Sequence, residues 1–469
     1  MKPPVTVQGY RSQRVRTTYG RFSTGGILWR RFRYGWLSAV WRFALLLGQL
    51  GKRILDLVLG VSTLLALTPL ILPVAILSLA SGHPVLTREP RVGRWGVVFN
   101  LLGFDTKGGP GQLMGRLHLQ RLAALWNVIR GDMSVVGPRA CRPEELDLRQ
   151  WAARKRSNVR PGMVSPWWLR QRANIDFGSE LDVDLEYVDG QSVRGDLGIA
   201  VRALPAVLYG SGSGTWPHQV DVLGVPIRNL TMEEALDYIL LGADSAVPRQ
   251  LSFVNTDCVN KAQADPAYAA CLRACDVVLA DGIGIRIAGK MLRREIRQNV
   301  NGTDLFPLLC RRLQDSDAGL FLLGAQPGIG ELVRDWVECN YPGAKVKGMH
   351  HGYFTPEEQP AVLEQIRQSG ARILLVAFGS PRQDLWIAEH KDNLGAGIAM
   401  GVGGLFDFYS GRIPRAPQWL RELSLEWTYR LCQEPSRMWK RYLLGNLVFL
   451  ARVLWSIVRR RNSAVSAEV

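Results

Sequence analysis

Apolar and polar positions alternate along this chain in three different ways. Leu57 to Gly82 runs without a charged residue, which is long enough to cross a bilayer. Pro69 and Pro73 stand near its centre; each removes a helix hydrogen bond and bends the segment. A true span and a re-entrant hairpin both fit. Beyond residue 220 the pattern changes to short apolar runs separated by amphipathic stretches. Strands are predicted at Leu251 to Val254, Val277 to Ala280, Gly319 to Leu323, Ala344 to Met349, Ile373 to Phe378 and Gly397 to Val402, with helices over Thr231 to Leu241, Ile329 to Asn340 and Glu357 to Ser369. That alternation implies an α/β fold with a largely parallel, Rossmann-like sheet. The third pattern is the tail. Tyr442 to Val458 is charged only at Arg452 and is followed by Arg459, Arg460 and Arg461, as in an interfacial amphipathic segment with cationic flanks.

Gly210-Ser211-Gly212-Ser213-Gly214-Thr215 leaves the backbone free and reads as a linker. The expected organisation is a basic aromatic arm over 1–53, a first domain over 54–208 opening with a membrane helix at 54–82, a linker over 209–220, the α/β domain over 221–415 and a membrane-associating appendage over 416–461.

Charge sharpens the membrane reading. The 58 Lys and Arg against 41 Asp and Glu give a net charge of +17, for which nucleic acid and an anionic membrane are the standard partners. Residues 1–53 hold no Asp or Glu and interleave Trp29, Phe32 and Tyr34 with arginines, just ahead of the uncharged run. Basic residues flanking an apolar segment mark the cytoplasmic face of a membrane, so a membrane partner is expected and nucleic acid is not. The seven cysteines are odd in number and form no C-x-x-C pair, which suits reduced thiols rather than a disulfide framework or a zinc site. No metal constellation is visible, and no cofactor is expected.

In parallel sheets ligands bind beyond the carboxyl ends of the strands, so the residues that follow each strand are the candidates for chemistry. Asp281 follows Val277 to Ala280 and precedes Gly282. Such a carboxylate can take a proton from a substrate hydroxyl as a general base, or it can cap a helix. Gly324 to Gly330 forms a glycine-rich turn after a strand, suited to a diphosphate or to a plain turn. Arg382, Gln383 and Asp384 follow a third strand, and Gly403, Gly404 and Asp407 a fourth. Four such sites at strand ends point to one pocket. In the tail, Arg437 and Arg441 are four apart and share a helix face; such arginines can hold a diphosphate bidentately or form a solvated face.

These sites, with Asn255, Asn301-Gly302-Thr303-Asp304-Leu305, Gly348 to Phe354, Arg415-Ala416-Pro417 and Glu426-Trp427 through Arg430, together resemble the WecG/TagA/CpsF glycosyltransferases (glycosyltransferase family 26) over roughly Asp221 to Trp455. The resemblance implies inverting, metal-independent transfer from a nucleotide sugar to a polyprenyl-diphosphate-linked glycan, at the cytoplasmic face of the bacterial inner membrane, in exopolysaccharide or cell-surface polysaccharide synthesis. It makes Asp281 the base and places Asn255, Gly324, Gln383, Gly403, Gly404 and Asp407 on the donor side. Arg415, Arg430, Arg437 and Arg441 become the acceptor-diphosphate clamp, with Thr303 and Asp304 as further motif residues. Phe253 and Asn299 depart from the Thr and Arg of some members. A homo-oligomer is left open.

The first half resembles bacterial sugar transferases through Lys52-Arg53-Ile54-Leu55-Asp56, Arg91-Val92-Gly93-Arg94, Leu125-Trp126-Asn127-Val128, Gly131 to Arg139 and Arg160-Pro161-Gly162. That family's Lys-Phe-Arg-x-Met motif stands here as Gly103-Phe104-Asp105-Thr106-Lys107, and its Leu-Asp-Glu-Leu-Pro as Leu119-Gln120-Arg121-Leu122-Ala123. Without a carboxylate nucleophile, covalent phosphosugar transfer has no evident route. The half is expected to be a degenerate membrane module with little β-structure. The alternatives are a silent scaffold throughout, or phosphosugar transfer retained through Asp105.

Overall fold

A computed structural model describes residues 24–105, 120–172, 179–208 and 216–466. The linker glycines Gly210, Gly212 and Gly214, the first 23 residues of the basic arm, and Thr106, Lys107 and Leu119 of the divergent motifs lie outside them.

The apolar stretch and the end of the basic arm form one helix, α1 (Thr24–Ala80). At about 1.5 Å per residue it is roughly 85 Å long, and it is bent by 60° between Pro69 and Ile71. Its middle is clamped to the rest of the amino-terminal half. Arg53 donates from both terminal nitrogens to the carbonyls of Val128 and Ile129, each at 2.6 Å, satisfying the last carbonyls of α2 (Ala124–Arg130). Lys52 donates to Val136 O at 2.9 Å and pairs with the buried Asp196. Before residue 105 the chain folds into an antiparallel hairpin, β1 (Leu86–Val92) and β2 (Val98–Phe104). A small parallel pair, β3 (Ser134–Val136) and β4 (Gly162–Val164), follows. Four more helices pack around it: α3 (Trp151–Arg156), α4 (Pro166–Arg172), α5 (Glu180–Asp189) and α6 (Val193–Leu208).

The second half opens with a hairpin, β5 (Gln219–Val222) and β6 (Val225–Arg228). Its Val220, Val222, Val225 and Ile227 are buried. Six parallel strands then make one sheet: β7 (Arg249–Val254), β8 (Val277–Ala280), β9 (Leu320–Gly324), β10 (Val346–His350), β11 (Ile373–Ala377) and β12 (Ile398–Gly401), ordered β10-β9-β11-β12-β7-β8. Every predicted strand is present. β8, β9, β11 and β12 are buried and apolar almost throughout because helices cover both faces. One face packs against α7 (Met232–Ala243), α11 (Gly302–Leu313) and α12 (Ile329–Asn340). The other packs against α8 (Thr256–Ala264), α9 (Pro266–Ala274), α10 (Ile283–Met291), α13 (Gln359–Gln368) and α14 (Arg382–His390). The α7 start is closed reciprocally: the Thr231 hydroxyl accepts from Glu234 N, and the Glu234 carboxylate accepts from Thr231 N.

Four short helices follow: α15 (Leu405–Tyr409), α16 (Gln418–Glu422), α17 (Glu426–Gln433) and α18 (Pro435–Trp439). A wider turn over Lys440–Leu444 leads into α19 (Gly445–Ser466). Lys440–Arg459 is long and apolar enough to cross a membrane, but one side of it is seated on the sheet domain. Phe449 and Val453 are fully buried among Val254, Val259 and Ile285. The Asn446 side-chain oxygen accepts from the Thr256 hydroxyl at 2.7 Å, and Asn260 Nδ2 donates to Gly445 O at 2.8 Å. Leu443, Leu444, Leu447, Val448, Leu454, Trp455 and Val458 are left exposed.

Gly324, at the end of β9, has φ +128, and a Cβ there would lie 2.7 Å from Ala377 O in the neighbouring strand. Gly324→Ala is therefore expected to destabilise the domain by about 3 kcal/mol, from backbone strain and the clash together. The check is the shift in the denaturant midpoint at unchanged slope.

Candidate active site

A cavity of about 340 Å³ opens at the carboxyl ends of β7 and β8 and is roofed by the tail helices. Its floor is two residues placed by adjacent strands. Asn255 follows β7, and Asp281 follows β8, where its backbone N–H donates to Val254 O at 2.9 Å. The cap position of α10 is occupied by Gly282 and receives no side-chain bond, so Asp281 is not spent on capping. Asn255 does cap its helix: its oxygen accepts from the N–H groups of Asp257 and Cys258 at 3.1 and 3.2 Å. With the oxygen so engaged, the Asn255 amide nitrogen is turned to the Asp281 carboxylate.

Burial pushes the Asp281 carboxyl above the usual carboxylate range, against the opposing pull of Arg441, the Asn255 hydrogen bond and Arg430, while Asp304 adds to the rise. A carboxylate of raised pKa is a stronger base than one in water.

The walls carry charge of both signs. Arg286, Arg421, Arg430 and Arg441 line the cavity together with Asp304 and Glu426. Asp304 anchors the arrangement. It accepts from Asn301 Nδ2 at 2.7 Å, pairs with Arg415 and faces Arg421 at 3.6 Å. Burial lowers the pKa of Arg421, and neighbouring Arg415 lowers it further; burial raises that of Glu426. Arg441 faces Asp257 at 3.4 Å and lies 5.6 Å from the Tyr442 ring centre. Arg430 stacks over Phe408 at 5.2 Å and passes so close to Gly404 that a Cβ there would sit 3.1 Å from its Nη2. The Nε atoms of Arg421 and Arg430 are buried without a hydrogen-bond partner.

Of the residues singled out from sequence, Asp281, Asn255, Thr303, Asp304, Arg430 and Arg441 line this cavity. Others lie around it. Arg415 is held by Asp304 behind the wall, and Asp407 receives Arg412 at 3.4 Å. Gln383 is buried; its oxygen accepts from Gly379 N at 3.1 Å and Gly403 N at 3.0 Å. It thus ties the loops after β11 and β12 together. Gly324 is packed on β11. The Arg437 side chain lies outside the described residues. Sequence reasoning passed over Arg286, Arg421 and Glu426 as site residues. The tail's recurring arginines were the available signal for Arg421. Asn299, read as a departure, accepts a short hydrogen bond from the Gly282 N–H and so fixes the turn that follows Asp281.

A buried carboxylate facing guanidinium groups across a cavity at parallel strand ends suits transfer to a hydroxyl of an anionic substrate. Residues 220–463 match the Glycosyl transferase WecG/TagA/CpsF family, and the chain belongs to it. It is a glycosyltransferase. Residues 47–210 match the Bacterial sugar transferase family. A relative from Bacillus subtilis (strain 168), the N-acetylglucosaminyldiphosphoundecaprenol N-acetyl-beta-D-mannosaminyltransferase, is 30% identical over 220 residues, which cover 47% of this chain and 85% of the relative.

Proposed function

We propose that the chain transfers an N-acetylhexosamine from a nucleotide sugar to a polyprenyl-diphosphate-linked sugar, with inversion, in the synthesis of a cell-surface polysaccharide. The observation that carries this is the pairing of Asp281 with an arginine wall whose Nε donors on Arg421 and Arg430 are buried without acceptors. Asp281 takes the proton of the acceptor hydroxyl as that oxygen attacks the anomeric carbon. The bond from that carbon to the nucleoside diphosphate breaks, and the diphosphate leaves. The Arg430, Arg437 and Arg441 set is assigned to the acceptor diphosphate, joined by Arg421, because guanidinium groups match phosphate geometry. Asn255 steadies the base. Gly403, Gly404 and Asp407, with the loop tied by Gln383, form the donor side. The printed substrates of the Bacillus relative support this choice of donor and acceptor class.

The tail supports a membrane-bound acceptor. Tyr442, Asn446, Phe449 and Leu450 line the cavity, while Leu447, Leu454 and Trp455 on the same helix are exposed. Laid in the headgroup region, this helix would hold the cavity mouth at the depth of a lipid diphosphate, at the cytoplasmic face. The amino-terminal half serves as a membrane module without phosphosugar transfer of its own.

The test is full-length protein with a panel of nucleotide sugars and a short-chain polyprenyl-diphosphate N-acetylglucosamine, with products read by mass. Transfer of one sugar is expected; no product from any donor overturns the reading. Replacing Leu447, Leu454 and Trp455 together by Ser should weaken binding to anionic vesicles at least tenfold while transfer to the short acceptor in detergent persists. Unchanged vesicle binding, measured by flotation, would remove α19 from the membrane.

A further inference from the structure

Every described residue that lines the cavity lies between Asn255 and Leu450, so none of the described residues of the amino-terminal half is among them. Yet a buried ion pair joins the two halves. Arg202 on α6 donates to Glu422 on α16 at 2.6 Å, and the Glu422 side chain is only 3% exposed. The other Glu422 oxygen accepts from Gln418 at 2.8 Å, so Arg202 is its partner from outside the helix. Arg202 is itself steadied by a bond from its Nε to Gly198 O at 3.0 Å. Beside this pair, α4 lies against α16.

Helix α16 has five residues, too few to hold its shape alone. Arg421 and Glu422 are neighbours on it, so their side chains point about 100° apart. One reaches the cavity wall and Asp304; the other reaches the amino-terminal half. The cavity is touched again just beyond the helix, by Ser424 at φ +58. Removing Arg202 would leave a buried carboxylate without its charge partner, a costly state that the short helix can escape only by moving or by admitting water. Arg421 would move with it.

We propose that the amino-terminal half sets the acceptor side of the cavity through this pair, and that Arg202 is a positioning residue for transfer. The choice of acceptor rests on the proposed function; the coupling between the halves does not. The half is then more than an anchor: it holds α16, and with it Arg421, in the binding geometry.

The experiment uses the full chain, with Arg202→Ala, Arg202→Lys, Glu422→Gln and the Arg202→Ala/Glu422→Gln double variant. Amide hydrogen exchange over residues 416–426 is read without substrate. Kinetics follow with the short-chain polyprenyl-diphosphate N-acetylglucosamine and the nucleotide sugar that the wild type accepts. Arg202→Ala should speed exchange in that segment about tenfold and raise the acceptor KM about tenfold, with kcat and the donor KM within about twofold. Arg202→Lys should recover most of both. The double variant should be no worse than Arg202→Ala, because the two changes remove the same interaction. Unchanged exchange over 416–426, a fall in kcat with no change in acceptor KM, or additive effects in the double variant would overturn the proposal. If Arg202→Ala does not fold, Glu422→Gln, which keeps the shape of the side chain, decides by the same two readouts. A wild type that glycosylates no lipid diphosphate sinks the proposed function alone, since the exchange comparison still judges the coupling.

Discussion

Asp281→Asn is expected to leave the fold intact and to lower kcat by a factor of about a hundred to ten thousand, the usual contribution of a positioned general base. The amide is nearly the shape of the carboxylate and keeps the backbone bond to Val254 O, but it cannot accept the hydroxyl proton. Burial raises the pKa of this group, so wild-type kcat should fall on the acid side as the group protonates, at a pH above the ordinary carboxylate range. The variant should lose that acid limb. Stability should move the other way. A carboxyl whose folded pKa is raised favours the folded state only when protonated, so its effect on stability worsens as pH rises through the unfolded value, near 4, to the folded one. The variant should therefore melt higher than wild type at neutral pH, and the gap should close below about pH 4. Near wild-type turnover, or a lower melting temperature at pH 7, would return Asp281 to a structural role.

Arg430→Ala combined with Arg441→Ala should raise the KM for the lipid-diphosphate acceptor by about a hundredfold or more, and the nucleotide-sugar KM far less. Two charge-assisted contacts, each worth about 1.5–3 kcal/mol, would be lost. Lysine at both positions should restore only part of the affinity. An ammonium group cannot bond in the planar bidentate fashion, nor stack as Arg430 does over Phe408 or Arg441 beside Tyr442. The measurement belongs in detergent with a short prenyl chain, where attraction to a charged bilayer contributes nothing. Full activity of the double lysine variant would reduce these arginines to a generic cationic face.

The sheet was legible in the sequence because buried parallel strands are short, mostly apolar runs, such as Val277 to Ala280 and Ile373 to Phe378, set between amphipathic stretches. The β5–β6 hairpin was not. Four-residue strands such as Gln219–Val222 give too short a signal, and their burial comes from helices far along the chain. Asp281 could be found because strand ends are where parallel sheets place their chemistry. Its release from capping could not, since that depends on the backbone at Gly282 and on Asn299, 17 positions away. Gln383 shows the reverse difficulty: a polar residue after a strand reads as a ligand contact, and only the fold shows its oxygen held by two backbone N–H groups. Arg421 went unmarked because what distinguishes it is Asp304, more than a hundred residues upstream.

The acidic partners around the cavity change what kind of event ligand entry is. Arg441 already faces Asp257, and Arg415 and Arg421 share Asp304. A diphosphate arriving there displaces internal counter-ions rather than filling a bare cationic groove. Few mobile ions from solution are released in such an exchange, so the affinity of the acceptor should depend only weakly on ionic strength, unlike the steep salt response of an open basic surface. The same carboxylates would hold the arginines at their stations between turnovers, so that the product leaves a site already shaped for the next lipid.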